Sequence, residues 1–146
     1  MKAVYDKYDV NVINVSLRHA YANNESLLSW AKEEVFAFVI YYKQGTDSNA
    51  KEIVKQWTLE MTDAILSENG RWYLPYQPHA TVAQFEKGYT NSSKYFEIKN
   101  QLDSTQRNVD NIYIILIIDC FHFWYEGFNV VHGNEVFLQH IGLVFS

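Results

Sequence analysis

The chain has 146 residues, of which 48% are hydrophobic and 20% are charged, and its formal net charge is −5. These values are typical of a single globular domain with a buried core, and the negative charge argues against nucleic-acid binding, which needs clustered Lys and Arg. No apolar run approaches the ~20 residues that span a bilayer, and no apolar segment follows the charged start, so we expect neither membrane contact nor a secretory signal. Cys120 is the single cysteine, which excludes an internal disulfide and favours a cytoplasmic protein.

Two strands are predicted in the first third of the chain. Residues 9–20 (DVNVINVSLRHA) alternate between apolar and polar side chains, which predicts a half-buried strand whose polar face carries Asn14, Ser16 and Arg18. Residues 34–42 (EVFAFVIYY) are apolar and aromatic almost throughout, as in a central strand.

One long helix is the clearest element of the sequence. Between residues 50 and 65 the apolar side chains recur at spacings of three and four, which gives one apolar stripe. Ser48 or Asn49 is expected to cap this helix, and Asn69-Gly70 to end it in a left-handed conformation. The other predicted elements are a helical turn at 27–32, a short strand at 71–74, a short helix capped by Thr81 and a helix at 92–102. This order predicts an α+β fold, an antiparallel β-sheet with helices packed on one face.

A change in charge divides the chain near Arg107. All twelve Lys and Arg lie at or before that residue, and residues 108–146 contain four Asp or Glu and no Lys or Arg. We therefore expect a domain at 1–107 and a divergent aromatic tail at 108–146, packed as a strand or hairpin on the same domain. Within the tail, residues 112–118 (IYIILII) are typical of a strand and residues 132–134 of a hairpin turn.

Motifs for cofactor or metal binding are weak in this sequence. The six glycines form no phosphate-binding loop. Cys120, His122, His132 and His140 match no standard zinc spacing, so no metal site is predicted. Ser16 and His19 lie on opposite faces of the first strand and cannot act as a nucleophile–base pair.

The strongest chemical signal is a surface rich in polar and aromatic side chains. Tyr41 and Tyr42 end the second strand, and Tyr73 and Tyr76 flank Pro75. If the strands are neighbours, one face of the sheet presents an arginine and several tyrosine hydroxyls, which suit a polyhydroxylated substrate. The alternative is that these tyrosine rings only cover the sheet from within.

Residues 70–107 (GRWYLPYQPHATVAQFEKGYTNSSKYFEIKNQLDSTQR) closely resemble the C-terminal part of FAD-linked oxidases of the vanillyl-alcohol-oxidase fold. That family has a Gly-Arg strand, then Tyr-Pro before a helix, then a final Leu-Asp-Pro or Tyr-Asp-Pro. In this chain, Tyr-Pro is replaced by Tyr89-Thr90 and the final triplet by Leu102-Asp103-Ser104. The similarity extends over residues 8–107 and is nearest to the sugar-lactone, alditol and decaprenylphosphoryl-ribose oxidases.

This resemblance implies a substrate (cap) domain that helps an FAD-dependent enzyme oxidise a CH–OH group of an alcohol or sugar lactone. It implies a catalytic role for Tyr76, which stands where relatives carry a lysine, while Arg18 keeps the family's arginine. The implied substrate-binding residues are Asn14, Ser16, Arg18, Val39, Tyr41 and Tyr73. FAD itself is bound by another domain in the family, so no cofactor-binding residue is expected here and the isolated chain is expected to be inactive.

Three interpretations of the chain stay open at this point. It is a remnant of such an oxidase, a subunit that pairs with a separate FAD-binding domain, or an independent ligand- or protein-binding module that reuses the sheet. A change of reading frame near codon 107 would explain the altered tail. An uncovered sheet face also favours a homo-oligomer.

Overall fold

The computed structural model describes residues 1–75, 79–105 and 137–145, and these residues form an α+β fold. The elements in chain order are α1 (Lys2–Tyr8), β1 (Asn11–Ala20), β2 (Val35–Gln44), α2 (Ser48–Ser67), β3 (Arg71–Trp72), α3 (Val82–Gly88), α4 (Ser92–Leu102) and β4 (Phe137–Phe145). The strands make one antiparallel sheet in the order β1-β2-β4-β3. The predicted α+β class, with an antiparallel sheet and helices, is confirmed.

The core lies between the sheet and α2. Trp57, Met61 and Ile65 project from one stripe of the helix and are at most 1% exposed, as are Ile40 and Tyr42 of the sheet. The rings of Tyr42 and Trp57 meet edge to face at 4.9 Å between centroids. Burial of each such side chain stabilises the fold by about 1.5–3 kcal/mol, so this layer fixes which face of β2 points inward.

The two ends of α2 differ in how well the sequence predicted them. The end is as expected, because Asn69 has a φ of 59° and the Gly70 N–H bonds to the Ile65 carbonyl at 2.9 Å. The predicted caps Ser48 and Asn49 are wrong: both are helical, and Asp47 is the N-cap. Its side chain accepts a hydrogen bond from the backbone N–H of Ala50 at 3.0 Å.

A short helix that the sequence did not reveal, α1, precedes the first strand and packs on α2. Lys7 Nζ lies 2.6 Å from Glu60 Oε2, and the Tyr8 hydroxyl donates to the same oxygen at 3.0 Å. Tyr5 packs edge to face on Trp57 with 5.9 Å between ring centroids. The N-terminal segment is therefore held to the helix layer by both polar and aromatic contacts.

The first strand is an edge strand rather than the half-buried strand that its alternation predicted. Val15 and Leu17 are opposite Ile40 and Phe38 in the register, so they share the face that packs on α2. They are nevertheless 47% and 59% exposed, as is neighbouring Phe36 at 51%. The reason is that α2 packs on β2, β4 and β3, and α1 packs on α2, so the outer edge of β1 is left without a covering helix among the described residues.

The connection between β1 and β2, residues 21–34, folds back on itself and is here called the β1–β2 loop. The helical turn predicted at 27–32 is reduced to one hydrogen-bonded turn, from the Ser29 N–H to the Ser26 carbonyl at 3.3 Å. The Asn23 N–H closes the loop on the Ala31 carbonyl at 2.7 Å. Ala31 then packs with Val35 of β2 in a second, smaller apolar cluster.

Part of the C-terminal tail belongs to the sheet. β4 pairs with β2 on one side, from Phe36 opposite Phe145 to Gln44 opposite Phe137, and with β3 on the other. The strand predicted at 112–118 and the turn predicted at 132–134 lie outside the described residues. So do Cys120, His122 and His132, three of the four residues whose spacing does not match a zinc site.

Candidate functional site

Five of the residues singled out as substrate-binding lie on one face of the sheet. Asn14 is opposite Tyr41 in the register, and Ser16 is opposite Val39. Directly opposed residues project from the same face of a sheet, and Arg18 follows Ser16 by two positions on that face. Because Ile40 and Tyr42 point to α2, this set points the other way. We call this side of the sheet, opposite α2, the outer face.

The outer-face residues differ in how accessible they are. Asn14 and Arg18 are exposed, Ser16 and Tyr41 are half-buried, and Val39 is only 6% exposed. A bulge between Val12 and Asn14 interrupts the pairing next to the first of them. The polar side chains of β1 are thus open to a ligand, whereas Val39 is buried among its neighbours.

A second arginine on the outer face was not singled out from the sequence. Trp72 of β3 is buried in the core against Tyr89, with 5.5 Å between perpendicular rings, and the Tyr89 hydroxyl donates to the Trp72 carbonyl. The preceding residue, Arg71, therefore points to the outer face. In the register of the sheet, Arg18 is opposite Ala37 of β2, and Ala37 and Arg71 are opposite the same backbone position of β4. At ~4.8 Å per strand, the two arginines are about 14 Å apart across the sheet.

Tyr73 lies at the far edge of the sheet, just after β3. Its ring meets Trp30 edge to face, with 5.9 Å between centroids. The β1–β2 loop therefore reaches from one end of the sheet to the β3 edge. Tyr76, the proposed catalytic residue, lies outside the described residues, so the structure brings together five of the seven proposed residues, with Tyr73 apart from them.

The same edge holds a cluster of two cations and a hydroxyl, here called the basic corner: Lys32, Arg71 and Thr90. Lys32 Nζ donates to Thr90 Oγ1 at 2.8 Å, and Arg71 Nε donates to the Gly88 carbonyl at 2.8 Å. Burial lowers the pKa of Lys32, and the charge of Arg71 lowers it further. The ion pairs within the described ranges involve other residues, so neither cation is matched there by a carboxylate.

Two glycines of the described residues leave no space for a phosphate group. A Cβ added at Gly88 would lie 3.0 Å from the Trp72 ring, and one at Gly45 would lie 2.9 Å from Ala50 Cβ. These glycines therefore make room for the protein's own side chains and not for a phosphate. In the same parts of the chain, no three His, Cys, Asp or Glu side chains gather in a way that would hold a metal ion.

In comparisons with known proteins, no family model, curated protein or solved structure matches this chain. Among the residues that the structure describes, no helix combines the length and apolar character needed to cross a bilayer.

Proposed function

We propose that this chain is a substrate-domain fragment of an FAD-dependent oxidoreductase that acts on the CH–OH group of an alcohol or sugar lactone. The observation that carries the proposal is the resemblance of residues 70–107, joined to an outer face that gathers Asn14, Ser16 and Arg18 beside Tyr41. The proposed setting is the cytoplasm.

The role left to this chain is to bind and orient the substrate. Asn14, Ser16 and Arg18 are two residues apart on one strand, so their polar groups form a line of ~13 Å, at ~3.3 Å per residue. The exposed Arg18 guanidinium offers paired donors to a carbonyl or hydroxyl oxygen, and the shorter side chains bond further hydroxyls. Tyr41 borders this line from β2. Such a row suits an extended, polyhydroxylated molecule.

The flavin would belong to a separate domain or subunit, because in the family that the chain resembles another domain binds FAD. We therefore expect the isolated chain to be inactive. The test is to incubate the purified chain with excess FAD, pass it through gel filtration and record the visible spectrum. A colourless protein supports the proposal, and a flavin band that survives filtration contradicts it.

Substrate binding is tested separately by NMR titration with xylitol and with gluconolactone. Saturable shifts at the β1 amides, lost in Arg18→Gln and kept in Lys55→Gln, support the proposal. Lys55 is an exposed lysine of α2, remote from the outer face in the sheet-and-helix arrangement. The absence of saturable shifts with both compounds would overturn the substrate role.

A protein-binding module is the second candidate, favoured by the exposed edge of β1. Two copies paired antiparallel through this edge would place Ser16 opposite its own copy and Val15 opposite Leu17, so that no like charges face each other. Leu17→Lys is expected to convert such a homodimer to a monomer in sedimentation analysis, while Ile53→Lys, an apolar position 37% exposed on α2, does not. A wild-type chain that is monomeric at high concentration would exclude pairing of two copies through this edge.

A further inference from the structure

The basic corner is built from three separate parts of the chain. Lys32 comes from the β1–β2 loop, Arg71 from β3, and Thr90 from the link between α3 and α4. Both cations bond to the short segment 88–90, through the Gly88 carbonyl and the Thr90 hydroxyl, at 2.8 Å each. Residues distant in sequence are thereby held at one place on the surface.

Holding two cations together has an energetic cost that a bound anion would remove. Two like charges at one site repel each other, and partial burial strengthens the repulsion. The lowered pKa of Lys32, caused first by burial and then by Arg71, reflects that environment. Lys7, by contrast, has a carboxylate partner, Glu60.

The two hydrogen bonds that hold the basic corner together use only some of its donors. A guanidinium has five N–H donors and an ammonium three, and the bonds to Gly88 and Thr90 use one of each. The Thr90 hydroxyl accepts from Lys32, which leaves its own proton to donate. Thr90 is exposed, and Lys32 and Arg71 are half-buried.

We infer that Lys32, Arg71 and Thr90 bind an oxyanion, the carboxylate or phosphate group of a small molecule. The two terminal guanidinium nitrogens of Arg71 match two oxygens of such a group, and Lys32 supplies a second positive charge. Trp30 and Tyr73, each two residues from one of these cations in sequence, pack edge to face on each other. This inference does not depend on the proposed oxidase function.

The competing explanation is purely structural. The Gly88 carbonyl ends α3, and a cation at the C-terminal end of a helix stabilises its unpaired carbonyls. In that case the substitutions would lower the melting temperature without any effect on anion binding. The experiment therefore measures both quantities for each variant.

The test is an NMR titration of the ¹⁵N-labelled chain with inorganic phosphate and, in a second arm, with succinate. We expect saturable shifts at the amides of residues 88–90 and at Arg71 Nε in at least one arm, which also identifies the oxyanion. Lys32→Gln and Arg71→Gln should each weaken binding about tenfold or more, since each removes a charge-assisted contact.

Two further variants keep the result interpretable. Lys55→Gln removes a distant exposed charge and should bind as the wild type does, while Arg71→Lys keeps the charge and loses the paired donors, so its affinity should be intermediate. Lys32→Gln carries the test if Arg71→Gln does not fold. Equal weakening by Lys32→Gln and Lys55→Gln, or no saturable shift in either arm, would overturn the inference.

Discussion

Gln84 joins the start of α3 to α2, and its replacement by alanine gives a sharp test of this packing. The side chain is 8% exposed. Its Nε2 donates to Asp63 Oδ1 at 2.7 Å and to the Leu59 carbonyl at 3.1 Å, while its Oε1 accepts from the Thr81 N–H at 2.9 Å. The same residue thus completes the capping box of α3 and ties that helix to its neighbour.

The expected loss in the free energy of unfolding for Gln84→Ala is about 3 kcal/mol. A hydrogen bond to a charged group contributes about 1.5–3 kcal/mol and a neutral one about 0.5–1.5 kcal/mol. The bond to Asp63 and the bond to Thr81 account for most of the sum. The Leu59 carbonyl lies within a helix and loses little. The Thr81 hydroxyl keeps its bond to the backbone N–H of residue 84.

The assay is urea denaturation followed by circular dichroism, with Gln56→Ala as the matched control. Gln56 is an exposed residue of α2 whose side chain bonds at 3.3 Å to Glu52, so its loss should cost under about 0.5 kcal/mol. Gln84→Glu should also be destabilised at neutral pH, because it sets a second carboxylate against Asp63. A loss below about 1 kcal/mol for Gln84→Ala would refute this account of the contact.

Three other predictions concern packing and pH. Gly88→Ala should lower the free energy of unfolding by about 1–3 kcal/mol in urea titration, because its Cβ would meet the Trp72 ring at 3.0 Å; an unchanged midpoint would contradict this. Trp57→Ala should cost about 3–5 kcal/mol and Trp57→Phe clearly less, since the larger truncation leaves a cavity beside Tyr42. Burial lowers the pKa of His79 from 6.5 to about 4, so the folded state resists protonation. Stability should then fall by about 3 kcal/mol as pH drops from about 6.5 to about 4, and His79→Gln should flatten this dependence.

The helices show which local signals decide structure. The apolar stripe of α2 could be predicted because residues such as Trp57, Met61 and Ile65 repeat at helical spacing. The N-cap of α2 could not be predicted, because residues 47–49 are all good capping types. Only the extended backbone conformation of Asp47 shows that it is the N-cap. Helix α1 was not predicted because its seven residues are too few to show a periodic apolar stripe.

The edge position of β1 could not be read from its alternation. Val15 and Leu17 alternate with polar residues as in any half-covered strand. Their exposure follows from which strands occupy the middle of the sheet, and that is set by the pairing of β2 with β4, far away in sequence. Long-range pairing of this kind leaves no periodic signal in the edge strand itself.

The shared face of Asn14, Ser16 and Arg18 is a local property and followed directly from the alternation of β1. The addition of Val39 and Tyr41 required the register with β2, which the structure supplies. Arg71 was missed because its strand has two residues, too few for alternation to show which face it occupies. Only the burial of Trp72 reveals it.

The strand β4 gives the outer face its width. β3 pairs with β4, and β4 pairs with β2, so the separation of Arg18 and Arg71 is set by a strand that comes from residues 137–145. A ligand that contacted both arginines would have to span about 14 Å. An oxyanion at the basic corner needs only Arg71 and Lys32. The polar row on β1 and the basic corner are therefore separable sites, and substitutions at one should leave binding at the other intact unless a single long ligand bridges them.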